Sequence, residues 1–373
     1  FINYGKGDPK NLETLSQKKK SLSVFSCFDW TVPGTPELIC ESAALARIPC
    51  YYFPKPISFF KPKSNQLGNL QGGFHHGSLS ILATRLGKLR GLSQIQNTWV
   101  IRQLEKAYPK NDYKDSTLIY NNLESIVGIL PRLKKMYKRI LYLCLDYSDL
   151  GGDFLANTRH ADKILVVPKS MVERIEKIYP NKTLEFPQLT SIYSPQGKKS
   201  ERVENLLKLI PSPRIIYTGN FNKRIDEKLY RTVTGTMKEC SFLSFHEKPF
   251  QKVGNVFHLP WLEKDEIFSL LEECSVGFMP YDLKVDHNLH CIPLKLFEYF
   301  QLGMPLVSTD LVNIQYLKPL LSIGKNTEEL IAGIRESLLE PADSSLRDKR
   351  KAVGKKHSTS NQVNLIRDIL NGT

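Results

Sequence analysis

The chain has 373 residues, 41% hydrophobic and 24% charged, with a formal net charge of +14. That length exceeds what one core supports, so two domains are expected, and no apolar run approaches the roughly 18 residues that would make a spanning helix. The seven cysteines, at 27, 40, 50, 144, 240, 274 and 291, are odd in number, widely spaced and without C-x-x-C, which excludes a disulfide framework or zinc cluster and points to a reducing, cytoplasmic compartment.

Strand and helix signals alternate from the start. "SLSVFSCF" (21–28) reads as a strand closed by Asp29-Trp30, "ELICESAALARI" (37–48) as a helix and "PCYYF" (49–53) as a second strand. A long helical zone is expected at 79–107, a strand at "STLIYN" (116–121), a helix at "LPRLKKMY" (130–137), a strongly buried strand at "RILYLCLD" (139–146) and a helix at "SMVERIEKIY" (170–179). Such alternation implies parallel sheets built from βαβ units.

The pattern restarts after the polar stretch "SPQGKKSERVE" (194–204). The strand "RIIYTGN" (214–220) is followed by a helix near 225–238, strands at 241–245 and 256–259, a helix at 264–274 and a strand at 275–281. A short helix, about Pro293–Leu302, precedes the strand "PLVSTD" (305–310), and a last helix spans 360–370. The fold class expected is α/β, two doubly wound Rossmann-like domains facing a cleft. The first domain is placed at 1–200, the second at 201–355, and a C-terminal helix at 356–373 packs back toward the first. Ligands of such sheets bind at the carboxyl ends of strands.

The helix at 293–302 carries the chemistry. Pro293 suits a first helical position, and Gly303 with Pro305 suits an abrupt stop. Its free N–H groups and partial positive charge make an anion site. Lys295 and Glu298 are three apart, on one face. Lys295 can pair with a diphosphate, and Glu298, one turn deeper, can accept two hydroxyl hydrogen bonds from a ribose. The plainer reading makes Glu298 a first-turn acid favoured by the helix dipole and Lys295 a solvated charge.

The stretch "IPLKLFEYFQLGMPLVSTD" (292–310) resembles the P-x-K-x-x-E-Y-x-x-x-G-x-P-x-V-x-T signature of group 1 glycosyltransferases of the GT-B fold. It is most similar to the branch containing the bacterial glucuronosyltransferases of xanthan and teichuronic acid assembly. "SPRIIYTGNFNKRIDEKL" (212–229), "GNVFHLPWLEKDEIFSLLEECSVGFMPY" (254–281) and "KKHSTSNQVNLIRDIL" (355–370) extend the likeness through the second half. "VFSCFDW" (24–30), "ILYLCLDYSD" (140–149) and "ADKILVVPKSMVERI" (161–175) carry it more weakly through the first.

The resemblance implies that Glu298 holds the donor ribose, that Lys295 and the backbone at Leu294 contact the diphosphate, and that Gly219 lets a loop approach the phosphates closely. Arg224 and Lys223, in that loop, are further phosphate candidates or plain surface cations. Many retaining relatives carry a second glutamate where this chain has His290, which leaves the stereochemical outcome open. The base that takes the acceptor proton is expected after a first-domain strand, with Asp146 preferred and Asp149 and Asp29 as alternatives; Asp149 could instead cap a turn, and Asp29 a helix. No D-x-D motif follows a strand, so no metal requirement and no cofactor beyond the nucleoside-diphosphate sugar co-substrate are expected. "GGFHHG" (72–77) reads as a loop rather than a metal site.

Residues 1–200 hold 29 Lys+Arg against 16 Asp+Glu, a net +13, whereas 201–373 hold 23 against 22. Lys55, Phe59, Phe60, Lys61 and Lys63, with Lys134 and Lys135 in the second cluster, mix cations with apolar residues as a membrane headgroup layer demands. The expectation is a peripheral enzyme on the inner face of an anionic membrane, meeting a lipid-linked or glycan acceptor. The plainer reading is a solvated basic face. A sugar-nucleotide epimerase of the same fold is the rival enzyme. A nucleic-acid-binding protein fits the charge but has no recognition motif, so no nucleic acid partner is expected.

Overall fold

The computed structural model describes residues 20–26, 34–53, 57–58, 74–76, 80–81, 92–107, 113–122, 127–146, 148–193, 200–246 and 250–372. Asp29, Lys55, Phe59, Phe60, Lys61 and Lys63 lie outside them, as does the side-chain environment of His75 and His76. The chain divides into two compact units: 1–166 with 172–186 and 362–373, and 167–171 with 187–361.

The first unit is built on strands β1 (Leu22–Phe25), β2 (Cys50–Phe53), β4 (Phe74–His76), β6 (Thr117–Tyr120), β7 (Arg139–Cys144), β8 (Lys163–Val166) and β9 (Thr183–Glu185). They form one parallel sheet in the order β4-β2-β1-β6-β7-β8-β9. The four-residue strands β1, β2 and β6 are buried at every position, the continuous apolar run that a parallel strand covered on both faces requires. Crossover helices include α1 (Thr35–Leu45), α2 (Leu92–Ala107), α3 (Leu130–Met136), α4 (Gly152–Thr158) and α5 (Lys169–Ile178). Of the helical zone expected at 79–107, α2 is the described helix, and Ser80–Ile81 near the zone's start is instead a strand, β5, paired with β3 (Ile57–Ser58). Helix α13 (Val363–Asn371) packs against α1, and Arg139 donates to the Ile369 carbonyl.

The second unit repeats the design. Its sheet runs β12 (Gln251–Val253), β13 (Val256–Leu259), β11 (Ser241–Phe245), β10 (Arg214–Asn220), β14 (Val276–Met279), β15 (Leu306–Thr309) and β16 (Ser322–Gly324), parallel except for the β12–β13 pair at the edge. Helices α6 (Glu201–Lys208), α7 (Glu227–Thr236), α8 (Lys264–Leu271), α9 (Asp286–Leu289), α10 (Leu294–Gln301), α11 (Thr327–Leu338) and α12 (Ser345–Lys356) complete it. The strand order reverses between β10 and β14, so the carboxyl ends of those two strands form the switch point where doubly wound sheets take ligands.

Helix α10 is held from behind by α12. A Cβ at Gly354 would stand 2.4 Å from the Gln301 nitrogen, so α12 meets α10 backbone to backbone. Arg350, 4% exposed, donates to both Glu340 oxygens at 2.6 and 2.7 Å and to the Leu320 carbonyl at 2.6 Å. Five of the six described cysteines are buried and all six are free thiols. Burial, assisted by the Asp146 charge, pushes the Cys144 thiol up to about 12, and burial does the same for Cys274; neither is reactive near neutrality.

Candidate active site

The switch-point end of β10 is irregular for a reason. Its register against β11 shifts between Tyr217 and Asn220, a bulge of the kind that re-aims backbone and side chains. The Thr218 N–H, drawn out of the ladder, donates to Tyr299 Oη at 2.9 Å, and the Thr218 hydroxyl shares the same oxygen at 3.0 Å. Tyr299 sits on α10, so the bulge and that helix are tied together. Gly219 follows, and a Cβ there would lie 2.3 Å from Lys295 Nζ and 2.5 Å from Tyr217 Oη. The glycine exists because a lysine ammonium occupies its side-chain space.

Helix α10 begins one residue later than expected. Pro293 is the N-cap, in extended conformation with φ −67° and ψ 125°, and Leu294 is the first helical residue. The proline ring is buried, whereas Leu294 is partly exposed at the tip. At the other end Leu302 is the C-cap and Gly303 takes φ +71°, the left-handed stop that favours glycine. From the first turn, Lys295 Nζ donates to Tyr217 Oη and Tyr281 Oη, each at 3.2 Å, and lies 4.2 Å from the Tyr217 ring centroid. The Tyr281 phenol is held well above its ordinary range by burial, then by its neighbour Tyr217, so it stays neutral and does not cancel the ammonium.

A second cation arrives from the loop after β10. Arg224 places its guanidinium carbon 5.6 Å from the Tyr281 ring centroid and donates from Nε to Asn288 Oδ1 at 2.8 Å. Among the described residues no carboxylate lies within ion-pair distance of Arg224 or Lys295. Two cations thus converge on the Tyr281 ring with no counter-ion among the described residues. Lys223, the other cation of this loop, is exposed.

Glu298 stands one turn deeper on the same face of α10. It is half-buried, and burial lifts its carboxyl above the ordinary range, opposed by the charges of Lys264 and Lys295. No hydrogen bond from the described residues engages its oxygens. A carboxyl that feels two cations yet receives no hydrogen bond from the described residues is suited to accept hydroxyl groups from a ligand.

The first-unit candidates fare unequally. Asp146 lies two residues beyond β7, half-buried, at a carboxyl strand end. Asp149 is exposed, and its Oδ1 accepts from the Gly151 N–H at 2.8 Å; it shapes the turn into α4, the plainer of its two readings. The basic segment 130–139 is not amphipathic toward solvent. Leu130, Leu133 and Tyr137 are buried in the core, while Lys134 pairs with Asp162 and Lys135 is exposed. Three of the apolar residues in this segment are thus taken up by packing, Met136 is half-buried, and Lys134 and Lys135 both reach solvent.

Two features escaped the sequence reading. Tyr217 and Tyr281 look like ordinary strand aromatics, and Asn288 lies in a stretch without any motif. His290, in place of the second family glutamate, shares a hydrogen bond with Ser170 Oγ at 3.1 Å, and its carbonyl accepts from Asn313 Nδ2 at 2.6 Å. Among the described residues no cluster of three potential metal ligands occurs.

No family model and no curated protein matches the chain. Solved structures do. The N-terminal domain of trehalose-6-phosphate phosphatase from Candida albicans superposes with a TM-score of 0.69 at 11% identity, covering 99% of each chain. The E. coli trehalose-6-phosphate protein bound with UDP-2-fluoro glucose gives 0.66 at 10% identity, over 95% of this chain and 99% of that one. Sucrose-phosphate synthase from Thermosynechococcus elongatus gives 0.65 at 12% identity, over 95% and 100%. At such identities the likeness establishes the fold: two Rossmann-like units, as the alternating strand and helix signals implied, of the GT-B class that the resemblance implied.

Proposed function

We propose that the protein is a glycosyltransferase that moves a sugar from a nucleoside-diphosphate sugar, UDP-linked by preference, to an acceptor hydroxyl. One observation carries this reading: Arg224 and Lys295 converge on the Tyr281 ring beside Gly219 with no counter-ion among the described residues, and the Glu298 carboxylate, which receives no hydrogen bond from those residues, stands one turn deeper on α10. The cations and helix tip match a diphosphate, and the carboxylate matches the vicinal hydroxyls of a ribose. In transfer, the bond between the sugar anomeric carbon and the β-phosphate oxygen breaks. The departing oxygen gains charge, which Lys295, Arg224 and the α10 N–H groups stabilise by electrostatics alone. For an inverting outcome Asp146 takes the acceptor proton. Because two protein cations neutralise the leaving group, turnover is expected to persist in EDTA.

The preference for UDP is supported by the structural neighbour bound with UDP-2-fluoro glucose. Trehalose-phosphate and sucrose-phosphate synthases are named for phosphorylated sugars. That chemistry agrees with the net +13 of residues 1–200, so the acceptor class favoured is a phosphate-bearing sugar. A lipid-linked sugar presents the same phosphate, and the glucuronosyl-transferring branch remains the finer reading of donor type. The test is release of UDP from UDP-glucose and UDP-glucuronate, with glucose 6-phosphate, fructose 6-phosphate and a polyprenyl-diphosphate sugar as acceptors. Acceptor-dependent UDP release supports transfer. An epimer formed with no acceptor would replace the reading by the epimerase.

A further inference from the structure

Arg224 is set in place by a side chain that solvent does not reach. Asn288 is 0% exposed, and its amide is fully used. Oδ1 accepts from Arg224 Nε at 2.8 Å, while Nδ2 donates to the Arg224 carbonyl at 2.8 Å and to the Asp282 carbonyl at 2.9 Å. One side chain therefore grips the backbone and the guanidinium of the same residue. The Asp282 N–H also donates to the Arg224 carbonyl at 2.9 Å, and Ile225 bridges Tyr281, so the loop after β10 is pinned to the loop after β14.

The consequence lies in which arginine nitrogens are taken. Nε is committed to Asn288, and the Tyr281 ring lies 5.6 Å from the guanidinium carbon. Nη1 and Nη2 have no partner among the described residues, which leaves the outer edge of the fork for a bidentate anion. An amide orients this fork without cancelling its charge. A carboxylate of the same shape would keep the bond from Nε but neutralise the charge, and it would lose both donations that Nδ2 makes to the loop carbonyls.

The geometry points to Asn288 as a positioning residue for phosphate binding, a neutral clamp that pre-orders Arg224 for the diphosphate of the donor. It rests on the diphosphate reading of the site. Pre-ordering removes much of the rotamer entropy that a free arginine would lose on binding, so its loss should appear as affinity rather than as fold stability.

The test is calorimetric UDP titration of the full chain as the parent, Asn288→Ala, Asn288→Asp, Arg224→Ala and Arg224→Ala/Asn288→Ala, each checked for cooperative thermal unfolding. Expected are a loss of about tenfold in Asn288→Ala, a comparable or larger loss in Asn288→Asp, and less than twofold further loss when Asn288→Ala is added to Arg224→Ala. Asn288→Asp is isosteric, and it carries the test if the alanine variant does not fold. Parent-like UDP affinity in Asn288→Ala or in Asn288→Asp overturns the clamp, as does an undiminished Asn288→Ala effect without Arg224. A parent that binds none of UDP, GDP, TDP and ADP overturns the diphosphate reading itself, and is told apart by the parent titration alone.

Discussion

Replacing Gly219 by alanine separates stability from binding. The new Cβ would stand 2.3 Å from Lys295 Nζ and 2.5 Å from Tyr217 Cζ and Oη. Gly219 is not among the residues with positive φ, so the cost is steric. Tyr217 is 3% exposed and packed, whereas Nζ is the free end of a long side chain, so Lys295 gives way. Overpacking costs about 1–3 kcal/mol, and because the packed Tyr217 ring cannot step aside as Lys295 can, the loss should sit near the high end, about 3 kcal/mol. For the ligand the same movement is costly. A misplaced ammonium forfeits a charge-assisted contact of about 1.5–3 kcal/mol, which is roughly a 10- to 150-fold rise in the UDP dissociation constant. Urea unfolding reads the first number and calorimetric titration the second. A folded Gly219→Ala protein that binds UDP as tightly as the parent would refute the assignment of this space to a phosphate-binding lysine.

Glu298→Gln should weaken UDP binding about 10- to 100-fold and abolish proton release on binding, read by titration in buffers of different ionisation enthalpy. The carboxyl is raised by burial, ribose hydroxyls need it ionised, and so parent affinity should fall as pH drops toward that raised value. A raised acid contributes stability that is complete below its unfolded-state value and is lost as pH rises through the folded one; Glu298→Gln should therefore melt above the parent at pH 7. Asp146→Asn should reduce kcat with UDP affinity unchanged, and unchanged turnover would shift the base to Asp149 or Asp29. Glu340→Ala should cost about 3–5 kcal/mol by urea unfolding, because Arg350 would be left buried and uncompensated. If cations alone govern membrane contact, sedimentation with anionic vesicles should vanish at high salt, and equal binding to neutral vesicles would remove any electrostatic contribution.

Five strands of the second sheet were legible, whereas its two edge strands, β12 (Gln251–Val253) and β16 (Ser322–Gly324), were not. Strands 214–220, 241–245 and 256–259 appear with the expected ends, because short apolar runs between turn residues admit few alternatives. Helix α10 was readable from its proline, glycine and Lys295–Glu298 spacing, all local signals. Helices α11 and α12 went unread: each buries only a narrow stripe, in α12 just Arg350 and Gly354, and neither residue advertises a core. The site divides the same way. Lys295, Glu298 and Gly219 follow from spacing and resemblance, whereas the Tyr217–Tyr281 cradle and Asn288 arise only when loops separated by about sixty residues of chain meet.

The crossing of α12 over α10 at Gly354 has a further consequence. With main chain resting on main chain, and Arg350 pegged beneath it, the helix that bears Lys295 and Glu298 has nowhere to recoil when a charged guest arrives. It acts as an anvil: adjustment during turnover must be made by the loops around it and by the guest itself, and position 354 tolerates no larger residue than the hydrogen it now presents.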